Sequence, residues 1–188
     1  MKHLFYVTSN SGKFAELEQF LKRHAPEIAL TRVDMDIPEI QSMDQQAVAI
    51  DKAQKAWNKL QSPLLIDDAG IYFDRWNQFP GVLTKYVFQG LGMEGMKRLI
   101  DAGDTGYFSL WLVYVDEQGV LHPFEGKCLG RLTNSFKGTA HEELPYDLCF
   151  IPDGLEQTYA EIKNNPTYES YFYRIRAVQA FLDWFKTV

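Results

Sequence analysis

A short polar segment near the N-terminus has the residue types that could bind a phosphate group. Thr8-Ser9-Asn10-Ser11-Gly12-Lys13 follows an apolar stretch at residues 3–8 and precedes a helical pattern of apolar residues. Free backbone N–H groups at a helix N-terminus, a glycine that allows close approach and a lysine charge all suit a phosphate. An ordinary capped helix with a surface lysine would give the same pattern, and the segment is too short for a Walker A motif.

Three acidic residues could hold a metal ion. Glu39 lies in a loop after a predicted strand, and Asp67 and Asp68 directly follow the apolar residues 64–66. Adjacent carboxylates repel each other unless a cation or a shifted pKa relieves the repulsion. Hard oxygen ligands select Mg²⁺ or Mn²⁺, and Mg²⁺ is usually held by one or two carboxylates plus substrate phosphates. The residue types therefore indicate a divalent-cation site, although a polar turn after a strand would look the same.

Three lysines could add positive charge for a polyphosphate. Lys52 and Lys55 fall on a predicted helix over residues 43–60, and Lys85 follows later in the chain. Solvated surface lysines are the ordinary alternative for each of them. The four histidines have no ligand spacing, and no Ser/His/Asp or Cys/His nucleophile arrangement is evident.

The hydrophobic pattern predicts the elements that would position these side chains. The expected short strands lie at residues 3–8, 28–33 and 64–66. The expected helices start after Gly12, span about 43–60 and 171–186, and include a small one near 93–102. The third strand would present Asp67 and Asp68 at its C-terminal end, which is where ligands bind in open α/β sheets.

The second half of the chain has a different pattern. Residues 107–115 and 120–130 are both strand-like and are joined by a polar turn at residues 116–119, which predicts an antiparallel hairpin. The hairpin would form the base of a second lobe. The predicted fold is therefore α/β, two-lobed, with a long mixed sheet flanked by helices and an active-site cleft between the lobes.

The composition limits the class of protein. The chain has 188 residues, of which 46% are apolar, and this is enough for one domain with two lobes. Its net charge of -6 argues against non-specific nucleic-acid binding, which needs a positive surface. No apolar stretch reaches signal-peptide or membrane-spanning length, so we expect no membrane partner and a cytoplasmic location. Cys128 and Cys149 are expected to be buried free thiols.

Several motifs along nearly the whole chain carry a family resemblance. The phosphate-loop segment with Glu16 is similar to the pattern T-x-N-x-x-K-x-x-E, and residues 67–71 resemble D-D-S-G-L with Ala69 in place of serine. The other matching segments are residues 36–41, residues 79–82 followed by Lys85, residues 150–154 and residues 157–161. In number, order and spacing these motifs resemble the inosine triphosphate pyrophosphatase family, whose members remove non-standard purine nucleoside triphosphates.

The resemblance implies a hydrolase that cuts nucleoside triphosphates between the α- and β-phosphates. It assigns triphosphate binding to Thr8, Asn10, Lys13, Lys52 and Lys85. It also implies that Glu39 and Asp68 bind Mg²⁺, or Mn²⁺ in its place, with Asp67 beside them in the substrate site. Asp68, or Glu39 through the metal, would prepare the attacking water, and Lys13 completes the catalytic set.

The resemblance is weakest where the family binds the base. Tyr146 and Asp147 match the family pattern G-F-G-Y/W-D-P, but Leu144 replaces its stacking phenylalanine. The family's S-H-R triplet corresponds to Phe172-Tyr173-Arg174, so only Arg174 is kept. Tyr146, Asp147 and Arg174 are therefore the base-side residues that the resemblance assigns. Loss of a stacking ring, worth about 1–3 kcal/mol, and of base-edge donors would weaken selectivity for inosine.

Two alternatives to this prediction stay open. A relative with the same chemistry could prefer another base, and a catalytically idle nucleotide-binding protein could have the same scaffold. Retention of Lys13 and of all three acidic residues argues against an idle protein. Family members commonly form homodimers, so we also expect a homodimer. The apolar residues that could contribute to its interface, or to the core instead, are Trp76, Phe79 and Tyr86.

Overall fold

The computed structural model describes residues 2–140, 145–165 and 168–187. The strands are β1 (Lys2–Val7), β2 (Ile28–Val33), β3 (Leu64–Phe73), β4 (Phe79–Gly81), β5 (Thr105–Val115), β6 (Leu121–Leu132) and β7 (Phe150–Pro152). The helices are α1 (Ser11–His24), α2 (Gln45–Leu60), α3 (Thr84–Leu99), α4 (Tyr159–Ile162), α5 (Tyr168–Tyr171) and α6 (Tyr173–Phe185). Within these ranges, every helix is too short or too polar to cross a membrane.

The strands form one seven-stranded mixed sheet in the described part of the chain. Its order is β2-β1-β3-β5-β6-β7, and β4 pairs with β3 beside this path. Strand β1 is parallel to both β2 and β3, whereas β4 is antiparallel to β3 and β7 is antiparallel to β6. The predicted α/β fold with a mixed sheet is therefore confirmed. The predicted cleft between lobes stays a prediction.

The chain divides into two compact units. The first consists of Met1–Asp68, Leu110–Gly126 and Ile175–Val188, and the second consists of Ala69–Ser109 and Lys127–Arg174. Strands β3, β5 and β6 each contribute residues to both units. The division within β3 falls directly after Asp68, so every acidic candidate of the predicted metal site belongs to the first unit.

Each unit has its own apolar core. In the first unit, strands β1, β3 and β5 pack on helix α2 through Val7, Leu64, Ile66, Val113, Val115, Ala49, Ala53 and Ala56. Alanine on the buried face of α2 lets the helix approach the sheet closely. In the second unit aromatic rings dominate, with Phe108 stacked on Tyr173 at 4.6 Å between ring centroids. Cys128 and Cys149 are free and buried, as predicted.

Two predicted elements have different bounds in the structure. Strand β3 runs to Phe73, so the prediction that Asp67 and Asp68 follow its end was wrong. Its last three residues pair with β4, which keeps the chain extended through the acidic pair. Helix α3 begins at Thr84 rather than near residue 93, because a kink at Gly92, with φ 60° and ψ -171°, interrupts its periodicity.

Candidate active site

The predicted phosphate loop joins β1 to α1 and is held by its own side chains. Asn10 is the N-cap of α1, and its side-chain oxygen accepts a hydrogen bond of 2.8 Å from the Lys13 backbone N–H. The Thr8 hydroxyl oxygen accepts from the Asn10 backbone N–H at 3.2 Å. From β2, the Arg32 guanidinium donates to the carbonyl oxygens of Thr8 and Ser9 at 3.2 and 2.8 Å. Because these bonds fix the backbone of the loop, the start of α1 is preorganised.

Asp67 connects this loop to the sheet. The Lys13 ammonium nitrogen lies 2.6 Å from Asp67 Oδ2, and the Tyr6 hydroxyl donates to Asp67 Oδ1. The Asp67 side chain is only 2% exposed, whereas the Lys13 side chain is 18% exposed. Lys13 is therefore held from the protein side and still reaches solvent, which is the arrangement that a phosphate-binding cation requires.

Asp68 has a different set of partners, contributed by α2 and the loop before it. The Lys52 ammonium nitrogen lies 3.3 Å from Asp68 Oδ1 and 2.9 Å from Glu39 Oε1. The Gln45 side-chain amide donates to the Asp68 backbone carbonyl at 3.2 Å. Asp68 Oδ2 is buried and accepts no hydrogen bond from the residues that the structure describes.

The register of the sheet explains why the two adjacent aspartates differ. Tyr6 of β1 pairs with Leu65 of β3, and side chains two positions apart on a strand share a face. Asp67 therefore lies on the Tyr6 face, and Asp68 lies on the opposite face, which packs on α2. Glu39 and Asp68 contact the same Lys52 ammonium, whereas Asp67 contacts Lys13, because the alternation of the strand places the two aspartates on opposite faces.

Burial and neighbouring charges shift the pKa of both members of the Lys52–Asp68 pair. Burial raises the pKa of Asp68, and the ammonium groups of Lys52 and Lys13 lower it only in part, so it stays above that of an ordinary aspartate. Burial lowers the pKa of Lys52, but the charges of Asp68 and Glu39 outweigh burial and raise it overall. Lys52 is therefore a stable cation beside a carboxylate of increased basicity.

The predicted base-side residues all belong to the second unit. Tyr146 is buried in a short 3-10 turn, donates its hydroxyl to the Thr84 carbonyl at 2.9 Å and has a pKa that burial raises. Asp147 is buried beside it, and Arg174 is only 1% exposed. Lys85 is exposed in the first turn of α3. Leu144 lies outside the described residues.

Comparison with known proteins shows which family the chain belongs to. The model of the Ham1 family matches residues 4–184 of the chain. The chain belongs to the Ham1 family. This membership confirms the resemblance drawn from the motifs, because relatives that match 84% and 88% of this chain are named inosine triphosphate pyrophosphatase.

The relatives of this Ham1 chain match it over most of its length. It is 32% identical to the dITP/XTP pyrophosphatase of Methanopyrus kandleri, with 99% of this chain and 97% of that protein covered. It is 33% identical to inosine triphosphate pyrophosphatase 2 of Trypanosoma cruzi, with 84% of this chain and 80% of that protein covered. A HAM1 protein from Coxiella burnetii has the same fold, with a TM-score of 0.78, 21% identity and 100% of both chains covered.

Glu39 and Asp68 are the predicted ligands of a divalent cation in this Ham1 chain. A single ammonium group contacts both carboxylates, which shows that one cation can reach both. Carboxylate oxygens are the ligands that Mg²⁺ prefers. The pair, with the buried Asp68 Oδ2, therefore fits Mg²⁺. Within the described ranges no three His, Cys, Asp or Glu residues cluster so that they could hold a metal by themselves, so phosphate oxygens or water would complete the coordination.

Sequence reasoning missed three residues that support these side chains. Tyr6, Gln45 and Arg32 contact Asp67, the Asp68 backbone and the phosphate loop, respectively. The signal for Tyr6 is a tyrosine among the apolar residues Leu4, Phe5 and Val7, since a buried phenol normally requires a hydrogen-bond partner. Nothing comparable marked Gln45 or Arg32, because their partners lie 23 and 24 positions away in the chain.

Proposed function

We propose that this Ham1 chain hydrolyses nucleoside triphosphates to nucleoside monophosphate and pyrophosphate in the presence of Mg²⁺. Its substrates include the non-standard purine nucleotides named for its relatives, which are inosine, deoxyinosine and xanthosine triphosphates. Support comes from two independent sources. Relatives named for this activity match nearly the whole chain, and the first unit contains a phosphate-binding loop and a carboxylate pair of the required chemistry.

One observation carries the proposal, and it concerns Asp68. Its Oδ1 is paired with Lys52, while its buried Oδ2 accepts no hydrogen bond from the described residues. A buried carboxylate oxygen without a donor costs stability. Such an oxygen is retained at functional sites, where a ligand or a proton supplies the missing partner.

In the proposed reaction each residue has a distinct part. Lys13 and the first backbone N–H groups of α1 bind phosphate oxygens. Glu39 and Asp68 would hold Mg²⁺, which would offset the negative charge that develops on the phosphate oxygens. Lys52 keeps these two carboxylates in place. Phosphoryl chemistry depends mainly on such positioning and charge neutralisation, and no covalent nucleophile is required.

Asp68 is the proton acceptor of the proposed reaction. A water oxygen attacks the α-phosphorus while Asp68 accepts a proton from that water. The bond from the α-phosphorus to the oxygen that bridges to the β-phosphate then breaks, and pyrophosphate leaves.

The test compares Asp68→Asn with the wild-type protein. An amide binds Mg²⁺ more weakly and cannot accept the proton, so turnover should fall by about 10²–10⁴-fold, the range of a general base. Pyrophosphate and monophosphate release should be measured with Mg²⁺ for inosine, xanthosine, guanosine and adenosine triphosphates. Circular dichroism should show that the fold persists.

A matched control is Asp183→Asn, the same change at an exposed position of α6, which should turn over like the wild type. Near wild-type turnover in Asp68→Asn would remove Asp68 from the mechanism. Release of diphosphate and inorganic phosphate by the wild type would show that a different phosphate bond is cut.

A further inference from the structure

Tyr6 is a buried polar side chain with no part in the reaction proposed above. It lies in β1 and is only 1% exposed. Because Tyr6 pairs with Leu65 of β3, its ring lies on the same face of the sheet as Asp67. Its hydroxyl donates to Asp67 Oδ1, while Lys13 lies 2.6 Å from Asp67 Oδ2. The two oxygens of this carboxylate therefore have different donors, one from the sheet and one from α1.

The burial of Asp67 makes these two donors necessary. A buried carboxylate is costly unless it is paired and hydrogen-bonded. Lys13 is the more mobile of the two donors, because it has a long side chain and is partly exposed. The Tyr6 hydroxyl is fixed by a rigid ring in a central strand. Of these two contacts of Asp67, the Tyr6 hydroxyl is therefore the more rigid, and Asp67 in turn contacts the Lys13 ammonium.

We propose that Tyr6 is a positioning residue that orients Asp67, so that Asp67 holds the Lys13 ammonium ready for a polyphosphate chain. Asp67 is then a support for the phosphate-binding cation rather than a metal ligand. A fixed cation loses less conformational entropy when it binds its ligand than a mobile one does. The inference rests on the proposed function in one respect, which is that the polyphosphate chain is part of the substrate.

The decisive variant is Tyr6→Phe, which removes one oxygen atom and keeps the ring. If Lys13 contacts the triphosphate equally in the ground and transition states, its displacement raises KM and leaves kcat unchanged. We expect KM for inosine triphosphate to rise about tenfold, equivalent to about 1.4 kcal/mol, with kcat within about twofold of the wild type. A purely structural role would lower stability and the active fraction, and it would not change KM.

Tyr114→Phe is the matched control, since Tyr114 is also a buried tyrosine of the first unit, and its ring packs on Phe181 of α6. It should leave KM unchanged. Asp67→Asn keeps an acceptor for Tyr6 but removes the charge that holds Lys13. If Tyr6 acts through Asp67, adding Tyr6→Phe to Asp67→Asn should change KM by less than about twofold.

Calorimetric binding of inorganic tripolyphosphate with Mg²⁺ provides a readout that does not need turnover. The Kd should rise about tenfold in Tyr6→Phe and stay unchanged in Tyr114→Phe. Should the wild type bind tripolyphosphate but hydrolyse no nucleotide, the proposed function fails and this Kd alone decides the role of Tyr6. A KM and Kd in Tyr6→Phe equal to those of Tyr114→Phe would overturn the inference. So would a full tenfold effect in the Asp67→Asn background, or a wild type that binds no tripolyphosphate.

Discussion

Asp67 and Asp68 are neighbours in sequence that contact different partners, because side chains alternate between the two faces of a strand. Asp67 meets Tyr6 and Lys13 on one face, and Asp68 meets Lys52 on the other. One dipeptide thus contacts both the predicted phosphate loop, through Lys13, and the Lys52 that pairs with Glu39. Strand β1 ends at Val7, which pairs with Ile66, so both aspartates lie just beyond its end. Their side chains therefore lie next to the loop that begins at Thr8.

Lys13 gives the first prediction at the scale of the residue. Lys13→Ala removes the cation that Asp67 holds, so it should raise KM by about tenfold or more. The increase should be the same for every nucleoside triphosphate, because Lys13 contacts only phosphate in the proposed complex. It also leaves the buried Asp67 carboxylate without its ion pair, and this should lower the melting temperature. Steady-state kinetics with inosine, guanosine and adenosine triphosphates, together with thermal melting, measure both effects.

The control for this variant is Lys22→Ala, since Lys22 lies on the same helix and its ion pair with Glu18 is largely exposed. An exposed pair of this kind contributes little, about 0–1 kcal/mol, so KM should not change. If the defect of Lys13→Ala instead depends on which base is present, Lys13 belongs to a different part of the site.

How far single residues can be predicted from sequence depends on how local their signal is. Asn10 and Lys13 lie three positions apart at one helix start, so a local pattern predicts the cap that the structure shows. Tyr6 and Asp67 lie 61 positions apart, and only the pairing of β1 with β3 brings them together. No local rule could have connected them, although the need of a buried phenol for a partner could have raised the question.

At the scale of elements, helix α2 holds the loop that carries Glu39. Three lysines at positions i, i+3 and i+7 of the helix share one face. Lys52 contacts Glu39, Lys55 donates to the Pro38 carbonyl at 2.9 Å, and Lys59 donates to the Asp36 carbonyl at 3.0 Å. The sequence had suggested Lys55 as a cation for the polyphosphate, whereas in the structure it binds the loop backbone and pairs with Asp51.

This contact predicts a change in metal dependence without a change in the chemical step. In Lys55→Met/Lys59→Met the loop loses two anchors, so Glu39 is less well positioned. The Mg²⁺ concentration for half-maximal activity should rise about two- to fivefold, because exposed contacts of this kind each contribute about 0–1 kcal/mol. The maximal rate at saturating Mg²⁺ should equal that of the wild type. Activity titrated against Mg²⁺ measures both quantities.

Gln54→Met is a suitable control, because Gln54 is exposed on the same helix and its side chain bonds Asn58. It should not alter the Mg²⁺ titration. A lower maximal rate in the double lysine variant, with an unchanged titration midpoint, would show that these lysines act on the substrate rather than on the loop.

Element bounds were predictable where the apolar pattern was regular. The predicted strand at residues 28–33 coincides with β2, because its apolar residues are bounded by turn residues at both ends. The extension of β3 through Asp67 and Asp68 was not predictable, since acidic residues are rare in strands and the pairing with β4 is a tertiary effect. In the same way, the first half of α3 was hidden by its glycines and the kink at Gly92.

At the scale of the whole molecule, the two units contain different parts of the predicted site. The first contains the phosphate loop and the acidic candidates, whose charges are compensated by lysines. The second contains Lys85 and the base-side candidates. A homodimer stays a prediction for this chain, and Trp76 and Tyr86, which are 41% and 55% exposed, offer apolar surface for it.

The base preference gives the last prediction, and it follows from burial in the second unit. Arg174 is the only member of the family's base-edge triplet that this chain keeps, and it is buried together with Phe172 and Tyr173. Tyr173 stacks on Phe108, and Phe172 stacks on Tyr168 at 4.6 Å between ring centroids. Rings committed to the core in this way offer little surface to a base. We therefore expect kcat/KM for inosine triphosphate to exceed that for guanosine or adenosine triphosphate by less than about tenfold, or about 1.4 kcal/mol.

The physical reason is that strong discrimination requires buried donors that a wrong base leaves unpaired. A site that lacks the hydroxyl and imidazole donors of the family cannot impose that penalty. Competition assays with the three triphosphates at equal concentration measure the ratio of the kcat/KM values directly.

Arg174→Lys keeps the charge but changes the donor geometry. Because the guanidinium packs beside Phe172 and Tyr173, this variant should reduce stability and leave the ratio of the kcat/KM values nearly unchanged. The contradicting outcome is a preference for inosine triphosphate of a hundredfold or more, roughly 2.8 kcal/mol. If Arg174→Lys abolished that preference, Arg174 would contact the base edge despite its burial.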